Sequence, residues 1–174
     1  GPGRVAAPAR AVVGPLRATG LTNVTIYGAG REQSILSPRD PHQPYVLHIE
    51  SDCARWELRH FSFNAMNQAA APPEALLICE GTQINARSMT LGTAQVGAWV
   101  RRGGDCVCDD WFVAACTTAY VRTGGDTLTQ SQFAESNFSN FVLDARWDSS
   151  HGAIEAANFQ TVVDEAVGIG LDID

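Results

Sequence analysis

The residues with the most chemical content lie in two near-copies of one segment. Residues 98–117 read AWVRRGGDCVCDDWFVAACT and residues 119–138 read AYVRTGGDTLTQSQFAESNF, with seven identities in twenty positions and no gap. Each copy carries an aromatic-Val-Arg run, Trp99 and Arg101 in the first and Tyr120 and Arg122 in the second, followed by Gly-Gly-Asp at Asp105 and Asp126. Hydrolysis of a glycosidic bond needs two carboxylates about 5 to 9.5 Å apart. Stacked repeats would bring Asp105 near Asp126 and Asp110 near Glu135, which makes these four the candidate acids. Trp99 and Tyr120 offer ring faces to sugars, and Arg101 and Arg122 offer charge-assisted hydrogen bonds to sugar carboxylates. The Gly-Gly-Asp pairs also have a structural use as turns, where glycine supplies positive φ and aspartate caps backbone amides.

Cys53, Cys79, Cys106, Cys108 and Cys116 are odd in number, and Cys106 and Cys108 form C-x-C with no histidine nearby. That spacing does not make a zinc set, so the thiols are read as core residues and no metal ligand or cofactor is assigned. A net charge of −7 and a pI near 5.0 exclude a general polyanion binder, because nucleic acid and anionic membranes require a positive field. No apolar run is long enough to span a membrane. Residues 1–3 read as the remnant of a cleaved tag, and residues 4–174 as one domain taken from a longer protein.

Stepping the repeat outward shows what must position these side chains. Short apolar runs open at Asn23, Tyr45, Ala75, Ala98, Ala119 and Phe141, with another at Ala166. Their third positions Leu47, Leu77, Val100, Val121 and Leu143 recur at near-equal intervals, apart from a longer first step between Leu47 and Leu77. That step holds an extra loop at residues 68–74. With 16 glycines and 18% charged residues, the pattern predicts an all-β chain, a single-stranded right-handed parallel β-helix whose solenoid has coils of roughly 21–23 residues. Alternation puts Tyr45, Leu47, Ala75, Leu77, Ala98, Val100, Ala119, Val121, Phe141 and Leu143 inward. Two columns then face outward: Val46, Leu76, Trp99, Tyr120, Val142, and beside them His48, Ile78, Arg101, Arg122, Asp144. An apolar stripe of that length marks a covered surface.

In this frame, Asn23-Val-Thr-Ile-Tyr-Gly-Ala-Gly-Arg-Glu-Gln-Ser-Ile-Leu36 resembles a first-coil segment of the pectin-lyase-like right-handed parallel β-helix superfamily, and the coil pattern from Gly20 onward is most like bacteriophage tailspike β-helix domains. Against polygalacturonases in this superfamily, Asp109-Asp110 and His151-Gly152 match the paired-Asp and His-Gly letters, which would make His151 a fifth catalytic candidate. The N-T-D and R-x-K elements are absent. Against pectate lyases, Asp105, Asp126, Arg101 and Arg122 imitate a calcium-and-arginine arrangement without the diagnostic motif. The Q-D element of pectin methylesterases is missing.

The expectation is a tailspike- or fibre-like protein outside the cell or on a virion surface that recognises host-surface polysaccharide, with degradation of that polysaccharide left open. Trp99, Tyr120, Arg101 and Arg122 are its glycan surface, a subunit interface or a face covered by another segment of the same chain, and a homotrimer is the favoured assembly. A secreted polysaccharide lyase or glycoside hydrolase is the second reading, and a purely structural oligomeric shaft the third.

Overall fold

A computed structural model describes residues 3–123, 133–134 and 141–144. Thirteen strands are described: β1 (Gly3–Ala6), β2 (Arg10–Val13), β3 (Leu16–Ala18), β4 (Thr22–Tyr27), β5 (Ile35–Pro38), β6 (Tyr45–Ile49), β7 (Ala54–Arg59), β8 (Ser62–Asn64), β9 (Ala75–Cys79), β10 (Thr82–Arg101), β11 (Cys106–Thr123), β12 (Phe133–Ala134) and β13 (Phe141–Asp144). All their pairings are parallel, and each joins one coil to the next. The chain is a parallel β-solenoid of about five turns with coils of about 25 residues.

Three faces follow from the register. The first stacks β1, β4, β7, residues 84–87 of β10 and 106–109 of β11. The second stacks β2, β5, β8, residues 90–92 and 112–114. The third stacks β3, β6, β9, residues 96–100 and 118–122, then β13. Period-2 alternation sends one set of side chains from every face inward. Val24, Trp56, Ile84 and Cys106 form one inward column, and Leu36, Phe63, Leu91 and Val113 another, all buried. A single-turn 3-10 helix, Met66–Gln68, ends where the expected extra loop at residues 68–74 begins.

The corners are made by single residues in the left-handed region. Asn23, Arg55 and Gln83, second in β4, β7 and β10, lie at the leading edge of the first face with φ of 57–59°, while His60, Ser88 and Asp110 lie at its far edge and Thr93 and Ala115 follow the second. Non-glycine residues adopt this conformation at a cost of roughly 1–2 kcal/mol each, offset here because each sharp bend lets the next strand join its ladder. Glycines serve close approach instead. A Cβ on Gly104 would lie 2.6 Å from the Cys79 carbonyl oxygen, and one on Gly28 would come closer still to that of His60.

The observed register corrects the outward face. One constant offset holds between β10 and β11, pairing Ala98 with Tyr120, Trp99 with Val121, Val100 with Arg122 and Arg101 with Thr123. Alignment by identity instead sets Ala98 on Ala119, because it follows the Gly-Gly-Asp turns, and slipping a strand by a single position exchanges its faces. Tyr120 is therefore fully buried, in a column with Leu47, Leu77 and Ala98 where small Ala98 separates two larger neighbours. Val46 and Leu76 also belong to the core, and His48 and Ile78 are buried. No apolar stripe spans the third face among the described residues. In urea unfolding, Tyr120→Arg should cost at least about 3 kcal/mol by burying an unpaired charge, and Trp99→Arg only about 1 kcal/mol. Equal effects would contradict this register.

Candidate functional site

A groove of about 520 Å³ lies on the first face. Its floor follows from alternation. Since residues 24, 56 and 84 point inward, the residues on either side of them are the ones that reach the surface. Asn23, Arg55 and Gln83 form one wall at the left-handed corner, while Thr25, Glu57 and Asn85 stack along the strands as the other. Val107 continues the second column on the next coil. Four coils thus contribute, and at roughly 4.8 Å per rung the lining extends about 14 Å along the solenoid axis.

Among the described residues, the side chains of Asn23, Thr25, Gln83, Asn85 and Arg55 make no hydrogen bond or ion pair. The remaining polar groups are engaged. Glu57 pairs with Arg59 at 2.6 Å. Trp56 forms part of the lining but is 3% exposed, and its indole N–H donates to the Leu21 carbonyl at 2.9 Å. Asp105 is the one sequence candidate that lines the groove. Its Oδ1 accepts from the amide of Gln83 and, at 3.3 Å, from that of Ile84, which is the turn-capping use expected of it.

The other candidates lie elsewhere. Asp110 sits at the opposite edge of the first face, where Ser88 Oγ donates to its Oδ2 at 2.7 Å and Arg31 Nη1 contacts its Oδ1 at 3.1 Å. Arg31 comes from the loop after β4, so it straps several coils and leaves that carboxylate with a structural role. Asp105 and Asp110 are thus not brought together. Asp126, Glu135 and His151 lie outside the described residues, and Arg122 is placed by its backbone alone. Among the described residues, no three His, Cys, Asp or Glu side chains gather as a cation set.

On the third face, Trp99 and Arg101 do meet, the guanidinium lying 4.9 Å from the ring centroid. The partner that organises them is Glu80, which nothing in the sequence marks out. Arg101 Nε donates to Glu80 Oε1 at 2.7 Å, His48 Nε2 lies 3.3 Å from the same oxygen without hydrogen-bond alignment, and Arg102 Nη1 is 3.6 Å from Oε2. Glu80 is 3% exposed. Desolvation pushes its pKa up, but the Arg101 hydrogen bond and the charges of Arg101, His48 and Arg102 outweigh that and hold it below the usual carboxylate range. Arg17 and Glu50 pair on lower coils of the same face. Arg101, expected to meet a sugar carboxylate, thus has an internal partner.

The cysteines are free thiols, four of them buried, and Cys106 Sγ lies 3.9 Å from Cys108 Sγ. A hydrogen bond with Cys106 and burial raise Cys79 well above the ordinary thiol value, while burial takes Cys116 to about 11.

Two outcomes follow from these environments. A thiol reagent at pH 8 should leave Cys79, Cys106 and Cys108 unmodified in the folded protein and reach all five cysteines in denaturant, because the thiolate is the reacting form. Arg101→Ala should cost about 3 kcal/mol at pH 7 by leaving the Glu80 charge under-compensated. Because the folded pKa of Glu80 is lowered, its contribution is complete above the unfolded carboxylate value and is lost as pH falls through the folded one. Chemical unfolding between pH 7 and pH 2.5 should therefore show the gap between Arg101→Ala and the parent narrowing with acid. A constant gap would place the stabilisation elsewhere. The chain matches no protein-family model, no curated protein and no solved structure, and it is placed by its architecture, as a parallel β-helix.

Proposed function

We propose that the chain is a polysaccharide-recognition element, presented outside the cell or on a virion surface, and that the first-face groove is where the polymer lies. The observation that carries this is the pair of stacked columns whose neutral polar side chains, Asn23, Thr25, Gln83 and Asn85, have no partner among the described residues. The sheet beneath them fixes the spacing of their backbones, so binding requires no backbone ordering and costs only the rotamer freedom of the side chains themselves. A rung spacing of roughly 4.8 Å is close to the length one hexose adds to an extended chain. A polymer parallel to the solenoid axis therefore meets one pair of groups per rung, Asn23 with Thr25, Arg55 with Glu57, Gln83 with Asn85, then Asp105 with Val107, so that neutral pairs alternate with charged positions.

Binding without cleavage is the favoured form of this reading. Glu57 and Asp105 are two coils apart, a rise of roughly 10 Å before any lateral offset, beyond the separation glycosidases use. Glu57 is also engaged by Arg59 and Asp105 by two backbone amides. The apolar column on which a homotrimer was expected is interior in Tyr120, Val46 and Leu76, so no assembly forms part of this proposal.

The test is affinity electrophoresis through gels carrying individual plant, bacterial and fungal polysaccharides. At least one should retard the protein, and the Gln83→Ala/Asn85→Ala double variant should weaken that retardation about tenfold, the loss of one or two hydrogen bonds, with an unchanged melting temperature. Retardation that the double variant leaves intact would remove the groove from the reading.

A further inference from the structure

We infer that the groove selects an uncharged, hydroxyl-rich polymer over a polyanion. This rests on the reading of the groove as a polysaccharide site and adds the class of polymer. The lining holds three formal charges, Arg55 against Glu57 and Asp105, and the Arg59 guanidinium that pairs with Glu57 brings the local balance only to zero. The whole chain carries −7. A polymer with an acid on every sugar, lying along the axis, would place a negative charge within about one rung of each of these carboxylates and would gain only one free guanidinium in return.

The neutral lining points the same way. The amide side chains of Asn23, Gln83 and Asn85 each present a carbonyl acceptor beside an NH2 donor, and the Thr25 hydroxyl does both at once. A sugar hydroxyl is likewise donor and acceptor and can satisfy either end. A carboxylate only accepts, so against this array it would leave the amide oxygens facing like charge. Arg55, with five donors and no acceptor, is served by hydroxyl and ring oxygens as well as by an anion. The buried Trp56 offers no ring face for stacking, so recognition runs through hydroxyl edges, which is where neutral hexose polymers differ from one another.

The experiment compares neutral polymers (dextran, mannan, xylan, galactan) with anionic ones (polygalacturonate, alginate) by affinity electrophoresis and calorimetry, at about 20 mM and about 300 mM salt. The expected result is binding to at least one neutral polymer, with a Kd that changes less than about twofold between the two salts because no ion pairs are formed, and that rises about tenfold in Asn85→Ala. Binding confined to polygalacturonate or alginate, weakened by salt and abolished in Arg55→Gln, would overturn the inference while leaving the polysaccharide site in place. Failure to bind any polymer of either class would overturn the polysaccharide reading itself.

Discussion

Each rung of this protein is held by parallel backbone hydrogen bonds to the rung on either side, and every other feature is a consequence of which residue meets which across that ladder. Trp56 lies between Val24 and Ile84, and Leu77 between Leu47 and Ala98. No coil can bury its apolar face alone, so the stability of each resides largely in its contacts with neighbours. Register is the single specification that makes an inward residue inward. Where one face is a core, the smallest slip would send a whole row of apolar groups into water.

The left-handed corners are the second half of that constraint. A flat parallel sheet would need long crossovers, whereas here one residue turns the chain between faces without leaving the ladder. Because the same rotation recurs at Asn23, Arg55 and Gln83, the side chains at the bend stack as regularly as those on the strands. The groove is the product of these two regularities, a corner column and a strand column held side by side.

What could be read in advance tracks this geometry. Tyr45–Ile49 and Ala75–Cys79 declare themselves as strands by their apolar runs, and the parallel solenoid follows from repeating them. The face of Tyr120 does not, since the Gly-Gly-Asp turns recur one position sooner than the paired strands do, and turn residues dominate an alignment by identity. Asn23, Arg55 and Gln83 give no signal as a set, because insertions space them unequally along the chain. Asn85 and Thr25 look like ordinary solvated strand positions. Glu80 looks like a turn acid before Gly81, and only the fold shows Arg101, Arg102 and His48 converging on it.

The groove's construction also sets how it can change over evolutionary time. Neighbours along it are neighbours in space but belong to different coils, so no single loop encodes the site. Duplication or loss of one coil would lengthen or shorten it by one step and leave the remaining rungs in place, whereas insertions at the corners would decorate its rim. Reach along a polymer is thereby a quantised trait, adjustable by gene segments of one coil, while the chemistry at each step is adjustable by point substitution on a surface that the core does not feel.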